Sequence, residues 1–352
     1  MKIFLTGGTG FIGTALTQAL HRRGWSVTAL VRTPGSPRAQ VLSTMGARLV
    51  PGDVTQRESM RAAMTGVDMV IHGAGRYEFG VDRAGKNRMR SVNVVGTENV
   101  LGLAHELGVP RTIHVSSVVA FGDSGPQPRD ETFTRQVPCR TAYEQSKTDA
   151  HEIARKYQQG GLPLIIVCPH QVIGANDHSV FGYFQRLYVN RAMPPIAWSP
   201  GSTFCCVALS DLAEGIALAA EKGRIGETYF LSGEPQSFRE IFDCWRGMPG
   251  AFIPRVWLPV GLAVALFAVL EPLQRMSGLP AFLSRETVRA GAMSLNYSSR
   301  KAQRDLGWTH CSADAMWEAA VQGEIQLLSG RRSQSLLRRL KPLEVPRQLP
   351  VR

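Results

Sequence analysis

Short apolar runs alternate with amphipathic segments through the first half of this chain. The runs predict six strands: Lys2–Thr6, Ser26–Val31, Ala47–Val50, Asp68–Ile71, Thr112–Val115 and Leu164–Val167. Helical periodicity follows the first strand as far as Arg23 and recurs in Gln56–Met64 and Met89–Leu107. Strands that alternate with helices are typical of a parallel sheet. The predicted fold class is α/β, with a smaller C-terminal lobe.

A glycine-rich segment joins the first strand to the first helix. Gly7, Gly10 and Gly13 stand three residues apart in Thr6-Gly-Gly-Thr-Gly-Phe-Ile-Gly13. Glycine allows a tight turn, a close approach to a pyrophosphate and close packing of helix on sheet. The N–H groups at the start of the helix then meet the phosphates. This segment predicts a dinucleotide site and a Rossmann-type doubly wound parallel sheet.

Tyr143 and Lys147 are four residues apart on a predicted helix, so their side chains share one face. A Lys cation lowers a tyrosine pKa because it favours the phenolate, and the phenol then becomes a usable general acid/base. Ser117 follows a predicted strand, and its hydroxyl can hold a substrate oxygen beside that phenol. We predict Ser117, Tyr143 and Lys147 as the catalytic residues.

An ordered set of motifs extends this pattern: TGGTGFIG at 6–13, GDVT at 52–55, HGAG at 72–75, NVVGT at 93–97, SSVVAFG at 116–122 and YEQSK at 143–147. The chain resembles an extended short-chain dehydrogenase/reductase of the NAD-dependent epimerase/dehydratase family, from Met1 to about Gly323. The resemblance implies an active-site hydroxyl at Ser117, an acid/base at Tyr143 and a ribose contact at Lys147. It also implies that Asn93 braces the central helix.

Most of these motif residues are also expected to contact the cofactor, because ligands bind beyond the carboxyl ends of such strands. The predicted cofactor contacts are Gly7, Gly10, Phe11, Ile12, Gly13, Arg32, Asp53, Val54, Ala74, Asn93, Ser116, Tyr143, Lys147 and Pro169.

The residue that ends the second strand bears on the choice of cofactor. An acidic residue there would bind the ribose hydroxyls and repel a 2′-phosphate. This chain has Arg32 at that place, with Arg38 nearby. We predict that NADP(H) is preferred. NAD(H) is the alternative if Arg32 stacks on adenine or faces water.

The segment after the sixth strand indicates which branch of this family the chain resembles. Cys168–Gly174 lacks the Asn that nucleotide-sugar enzymes of this family usually carry there. The segment, like the region from Val256 to Trp308, is closer in pattern to the dihydroflavonol-reductase and 3β-hydroxysteroid-dehydrogenase branch. His170 either faces the nicotinamide or the substrate, or it is a satisfied structural histidine.

Length and composition agree with a soluble enzyme of two lobes. The 352 residues, 44% of them hydrophobic, can bury a large core and a second lobe. Lys2 leads directly into the first strand, so no cleavable signal peptide is expected. Six cysteines without a Cys-x-x-Cys pair favour reducing cytosol and no metal site. The predicted division is a dinucleotide domain (1–165, with later segments returning to it), a substrate lobe (166–323) and a basic, disordered tail (324–352).

Several features of the second half have more than one interpretation. Asp211 is predicted to cap a helix at Leu212–Glu221. Phe181–Asn190 reads as a core helix in which Phe181, Phe184 or Tyr188 could also line the substrate pocket. In the first half, the charged loop Gly80–Arg90 is either a flap over the site or simply solvated.

Val256–Leu270 contains no charged residue and would reach about 22 Å as a helix, short of the ~30 Å hydrocarbon core. It is either a buried helix, with Trp257, Leu262, Leu266 and Leu270 packed inside the lobe, or a membrane-surface patch. Residues 331–352 carry seven cationic residues and one acid. The two features together predict a reversible peripheral membrane contact. The basic segment has no aromatic residue, so no nucleic-acid partner is expected.

The predicted activity is NAD(P)-dependent transfer of hydride between the nicotinamide and a carbonyl or secondary alcohol of an apolar, terpenoid- or steroid-like substrate. One alternative is a nucleotide-sugar epimerase or dehydratase with bound NAD. Another is a non-catalytic NAD(P)-sensing protein, against which the intact catalytic set argues. The expected partner is a small-molecule substrate, and a homodimer is compatible with the sequence. The expected location is the cytoplasm or the membrane surface.

Overall fold

The computed structural model describes residues 1–276 and 284–343. In chain order the strands are β1 (Lys2–Thr6), β2 (Ser26–Val31), β3 (Arg48–Pro51), β4 (Met69–His72), β5 (Thr112–Val115), β6 (Gly125–Arg129), β7 (Leu164–Pro169), β8 (Val172–Ile173), β9 (Ile196–Trp198), β10 (Thr203–Phe204), β11 (Val207–Ala208), β12 (Thr228–Leu231), β13 (Gln236–Ser237), β14 (Val256–Leu258) and β15 (Leu295–Tyr297).

The α-helices are α1 (Phe11–Arg22), α2 (Pro37–Thr44), α3 (Glu58–Met64), α4 (Arg83–Arg90), α5 (Gly96–Glu106), α6 (Ala142–Gln159), α7 (Val180–Val189), α8 (Leu209–Lys222), α9 (Phe238–Asp243), α10 (Val260–Met276), α11 (Arg285–Gly291), α12 (Arg300–Leu306), α13 (Ala313–Ser329) and α14 (Leu336–Arg339). A π-helical turn, Ser91–Val95, joins α4 to α5, and a 3₁₀ turn covers Val118–Ala120.

Seven parallel strands form the central sheet in the order β3-β2-β1-β4-β5-β7-β12. Successive side chains of a strand point to opposite faces. Ile3 and Leu5 accordingly pack beneath α1 and α8, whereas Phe4 packs beneath α5 on the other face. The predicted Rossmann-type doubly wound α/β fold is confirmed.

The smaller lobe has a separate aromatic core. Phe181, Trp198, Phe238, Trp245 and Trp317 are buried together there. Short strand pairs, such as β9 with β14, border this core. The lobe lies beyond the carboxyl ends of the central strands, where a cavity separates it from the sheet.

The helical segment predicted around Met89–Leu107 is confirmed as far as Glu106, with two differences: α4 begins earlier, at Arg83, and a π-helical turn joins it to α5. A π-turn adds a residue to the helical repeat and often marks a functional site. Here the turn carries Asn93, whose side chain bonds across to another helix. The segment predicted as a charged loop, Gly80–Arg90, forms α4 over Arg83–Arg90. Its charged residues are exposed, as the solvated alternative predicts, and the Gly80 N–H donates to Glu286 on α11 (2.8 Å).

Asp211 does not cap a helix as predicted. The helix begins at Leu209, directly after β11, and its N-cap is Ala208. Asp211 therefore lies within the first turn, where its carboxylate accepts from the Cys311 N–H at 2.8 Å. A carboxylate in this position is still favourable to the helix dipole.

The tail that was predicted to be disordered from residue 324 is ordered as far as residue 343, the last residue described. Glu324 lies inside α13 and pairs with Arg186 (3.2 Å), with both side chains buried. Arg186 also donates to the Leu340 carbonyl at 2.8 Å. The Asn176 side chain bonds both backbone groups of Leu343, at 2.6 and 3.1 Å. Arg186 on α7 and Asn176, four residues before α7, therefore hold this segment in place by hydrogen bonds. The prediction for 344–352 lies outside the described residues.

The apolar run Val256–Leu270 forms β14 and most of α10. Trp257, Leu266 and Leu270 are half-buried, but Leu262 is 61% exposed, so the expectation that all four pack inside is wrong. Within residues 1–276 and 284–343, no helix is both long and apolar enough to cross a membrane.

Candidate active site

A cavity of about 560 Å³ lies between the carboxyl ends of the central strands and the small lobe. It brings together almost all of the residues predicted from the sequence. The predicted residues that line it are Gly7, Gly10, Phe11, Ile12, Gly13, Arg32, Asp53, Val54, Ala74, Ser116, Ser117, Tyr143, Lys147 and Pro169. Their roles in binding a cofactor stay predictions.

The turn between β1 and α1 forms one end of the cavity. The Gly10 N–H donates to the Gly7 carbonyl (3.0 Å), and Gly7 has a positive φ of 79°. A Cβ on Gly13 would lie 2.1 Å from the Gly7 carbonyl oxygen, so no larger residue fits there. No side chain caps the start of α1. The turn therefore leaves backbone N–H groups to meet a phosphate, and it fits the pyrophosphate of a dinucleotide.

Arg32, Arg38 and Asp53 line the cavity on the side of β2 and β3. The Asp53 carboxylate accepts from the N–H and the hydroxyl of Thr55, both at 2.8 Å, which fixes the loop after β3. Arg32 is exposed to solvent at the cavity edge. Two guanidinium groups therefore stand where an adenosine ribose is expected.

The start of α6 fixes the predicted acid/base. Thr141 caps the helix by accepting from the Glu144 N–H at 3.1 Å. Glu144 is fully buried, pairs with Arg135 and accepts from the Arg140 N–H. These contacts hold the first turn of α6, and with it Tyr143, against the end of β5.

Tyr143 and Ser117 both line the centre of the cavity. The Ser117 hydroxyl accepts from the Val119 N–H at 3.3 Å. Burial raises the pKa of Tyr143, and the Ser117 hydroxyl opposes that rise because it donates to the phenolate. Burial lowers the pKa of Lys147 to about 8, and its amine donates to the Val115 carbonyl at 3.3 Å. The expected lowering of the Tyr143 pKa by Lys147 is therefore contradicted, because burial raises this pKa.

Asn93 is the one predicted cofactor contact that lies behind the cavity wall. Its amide donates to Ser146 on α6 (2.9 Å) and to the Arg76 carbonyl (3.0 Å). Its oxygen accepts from the Arg76 N–H at 2.7 Å. These protein partners occupy the side chain, so Asn93 braces α6 and the loop after β4.

His170 lines the cavity and also has backbone partners at both ring nitrogens, so both of its interpretations stay open. Its Nδ1 accepts from the Gln171 N–H at 2.6 Å. Its Nε2 lies 2.7 Å from the Leu295 carbonyl oxygen and 3.2 Å from the Cys205 N–H nitrogen. Burial lowers its pKa to about 4, so the ring is neutral at ordinary pH. Ser116 is likewise bonded to His151, at 2.9 Å.

Aromatic and aliphatic side chains line the other end of the cavity. Tyr77 and Phe79 pack edge-on against Tyr143, with ring centroids 4.8 and 5.8 Å apart. Sequence reasoning missed this pair, although Tyr77 stands only two residues after the HGAG motif at the end of β4. The remaining apolar lining at this end is Phe181, Phe184, Trp198, Phe204, Phe238, Met293 and Leu295. Tyr188 lies outside the cavity, and its hydroxyl is 2.6 Å from the Trp245 carbonyl.

Asp177 is a buried acid in the cavity wall that sequence reasoning also missed. Its carboxylate accepts from the Ser179 N–H at 2.7 Å and from the Ser179 hydroxyl. Burial raises its pKa to about 6. The polar run before the apolar helix α7 was a signal for a helix cap, and Ser179 is that cap.

The comparison with known proteins agrees with this geometry. The profile of the NAD dependent epimerase/dehydratase family matches residues 3–231. A ketoreductase from Stigmatella aurantiaca, named for a 4-hydroxy-2-methyl-3-oxo-4-farnesyl-3,4-dihydroquinoline-1-oxide, is 30% identical over 92% of this chain and 98% of its own. Sterol demethylase protein B from Methylococcus capsulatus is 29% identical over 91% of this chain and 97% of its own.

A solved structure is similar over the same extent. The crystal structure of gox2253 has a TM-score of 0.76 and 30% sequence identity, covering 92% of this chain and 98% of that one. The family match agrees with the glycine turn and with the placement of Ser117, Tyr143 and Lys147 in one cavity. This chain is an enzyme of the NAD dependent epimerase/dehydratase family, the extended short-chain dehydrogenase/reductases.

Proposed function

We propose that the protein is an NADP(H)-dependent oxidoreductase that interconverts a ketone and a secondary alcohol on an apolar, terpenoid- or steroid-like molecule. The observation that carries this proposal is the single cavity that runs from the glycine turn, past Ser117 and Tyr143, to an aromatic end. One end has backbone N–H groups and arginines, which suit a dinucleotide, and the other end has aromatic and aliphatic side chains, which suit an apolar substrate.

The residues at the centre of the cavity suit proton transfer to a carbonyl oxygen. Burial keeps the Tyr143 hydroxyl protonated at neutral pH because it raises the pKa, so the phenol is ready to donate. Ser117 can hold the same oxygen by a second hydrogen bond. Lys147 is expected to bind the ribose beside the nicotinamide, and the cofactor supplies or accepts the hydride. In the reverse direction Tyr143 takes the proton back.

The substrate end favours an apolar molecule over a nucleotide-sugar. The cationic residues in the cavity wall are Arg32, Arg38, Arg76 and Lys147. The first two stand at the adenosine end, Lys147 is central, and Arg76 pairs with Glu78. A second diphosphate would need cations among the aromatic residues. The relatives named above are described by a farnesylated ring compound and by a sterol, which also supports this choice.

Turnover of a substrate panel tests the proposal. Oxidation of NADPH is followed spectroscopically with polycyclic and terpenoid ketones and, in parallel, with UDP- and dTDP-sugars. We expect turnover with at least one apolar ketone and none with the sugars. Epimerisation or dehydration of a nucleotide-sugar without net loss of NADPH would refute the proposal.

The preference for NADP(H) rests on Arg32 and Arg38. A guanidinium binds a 2′-phosphate by paired, charge-assisted hydrogen bonds. Fluorescence titration with NADPH and NADH measures the preference directly, and Arg48→Ala, an exposed arginine on β3 outside the cavity wall, is the matched control for Arg32→Ala. Equal or tighter binding of NADH, unaffected by Arg32→Ala, would refute the preference.

A further inference from the structure

Helix α10 exposes an apolar face to solvent. Its solvent-facing positions follow one another at helical spacing: Leu262, Ala265, Val269, Pro272 and Met276. Leu262, Val269 and Met276 are 61, 69 and 84% exposed. A helix on a protein surface normally turns polar residues outward. An exposed stripe of this kind marks an interaction site rather than an ordinary surface.

The inner face of α10 packs on a wall of the active site. Phe267 is buried and its ring lies 5.2 Å from that of Trp198. Trp198 lines the apolar end of the cavity. The bare face of α10 is thus separated from the proposed substrate end by two aromatic side chains.

A second cavity, of about 420 Å³, opens just before α10 and is rich in arginine. Arg239, Arg246 and Arg255 line it, and Asp243 is the only acid among the residues lining it. Asp243 pairs with Arg246 at 2.7 Å. Among the described residues Arg239 and Arg255 have no carboxylate partner, and Arg239 lies over the Trp257 ring at 5.3 Å.

Apolar side chains continue from this cleft to the helix. Phe252 belongs to the cleft, Val256 follows Arg255 directly, and Val260 begins α10; all three apolar residues are exposed. We call the three arginines together with these residues and the exposed stripe of α10 the α10 surface. It combines cations and bare apolar side chains on one short stretch of the fold.

We propose that the α10 surface binds the surface of an anionic phospholipid bilayer. Arginines attract acidic headgroups while the aliphatic stripe enters the boundary with the acyl chains, as in interfacial helices. At 1.5 Å per residue, α10 reaches only about 26 Å, so it lies on the bilayer and does not cross it. Binding to the bilayer does not depend on the proposed function. Only the role that we give to this binding, delivery of a lipid-like substrate to the cavity, rests on the proposed function.

A second copy of the chain is the competing occupant. A symmetric dimer presents the same patch from both subunits, so two arginine-lined clefts would face the same interface. Their like charges repel, whereas a layer of acidic headgroups complements them. Charge complementarity therefore favours the bilayer.

Co-sedimentation of the full chain with phosphatidylcholine vesicles, with and without phosphatidylserine, tests the proposal at low and high salt. We expect binding to the anionic vesicles, weakened by salt. Arg239→Gln with Arg255→Gln should weaken binding about 30-fold, from about 1 kcal/mol per cation near an anionic surface. Leu262→Glu with Val269→Glu should abolish it.

Two matched controls sit elsewhere on the surface. Ile225→Glu puts an acid on an apolar residue that is 53% exposed, and Arg300→Gln removes an exposed arginine outside both cavities. Both should bind vesicles like the parent. NADPH titration and circular dichroism verify that each variant is folded.

Three results would overturn the proposal: no anionic-vesicle binding by the parent, parent-like binding by the Leu262→Glu, Val269→Glu variant, or a parent dimer that this variant dissociates in light scattering. The last identifies a second copy as the occupant. Vesicle binding without turnover of any apolar ketone leaves the α10 surface standing and refutes only the proposed function.

Discussion

The change Tyr143→Phe separates chemistry from structure at the centre of the cavity. It removes the phenol hydroxyl that lines the cavity with Ser117 and keeps the ring that packs against Tyr77 and Phe79. The variant cannot donate a proton to a carbonyl oxygen. Its cofactor end, formed by the glycine turn and Arg32, is untouched.

The two expected effects differ in size. Loss of a general acid lowers turnover by about 10²–10⁴-fold, which corresponds to about 2.7–5.5 kcal/mol of activation free energy. The change in the free energy of unfolding should not exceed about 0.5–1.5 kcal/mol, which is what one hydrogen bond contributes. The aromatic contacts add no further loss because the ring remains. Turnover should therefore fall far more than stability.

Tyr77→Phe is the matched control. Tyr77 is a second, half-buried phenol whose ring lies 4.8 Å from that of Tyr143, and the same atom is removed. Steady-state turnover with NADPH, NADPH titration and urea unfolding are measured for the parent and both variants. We expect Tyr77→Phe to keep turnover within about tenfold of the parent. Parent-like turnover by Tyr143→Phe, or an equal loss in both variants, would refute the assignment of Tyr143 as the acid.

Three further changes probe the rest of the site. Gly13→Ala places a Cβ 2.1 Å from the Gly7 carbonyl oxygen and should abolish NADPH binding in fluorescence titration; retained binding would contradict the predicted phosphate turn. Arg32→Ala should weaken binding of NADPH about tenfold or more and leave that of NADH nearly unchanged, since one charge-assisted hydrogen bond contributes about 1.5–3 kcal/mol. The buried carboxyl of Asp177 has a folded pKa of about 6, above its unfolded value, so its ionisation destabilises the fold as pH rises from about 4 to about 6. Asp177→Asn removes this ionisation and should make the free energy of unfolding depend less on pH in that window. An unchanged slope in urea unfolding across that window would contradict the last prediction.

Local geometry made the cofactor turn and the catalytic helix predictable. The glycines of the first turn are constrained by their immediate neighbours, and Tyr143 and Lys147 share a face because of helical spacing alone. Spacing does not reveal burial, however. The predicted lowering of the Tyr143 pKa was wrong because desolvation dominates at this position.

Other parts of the site depend on contacts between residues far apart in the sequence. Tyr77 meets Tyr143 because Asn93, on a π-turn, ties the intervening loop to α6. Likewise, a run without charges, such as the one that forms α10, does not show which of its faces will be buried. The inner face of α10 is set by the packing of Phe267 on Trp198, which leaves the opposite face exposed.

The bond between Asn176 and Leu343 also sets an order of events during synthesis. Both backbone groups of Leu343 bond one side chain that was made 167 residues earlier. The first five central strands are complete by Val115, whereas β12 arrives at Leu231 and the contact with Leu343 later still. A growing chain can therefore assemble its glycine turn long before it can fix the segment next to Asp177. The position of this segment therefore depends on a contact with residues synthesised much later than the first strands of the sheet.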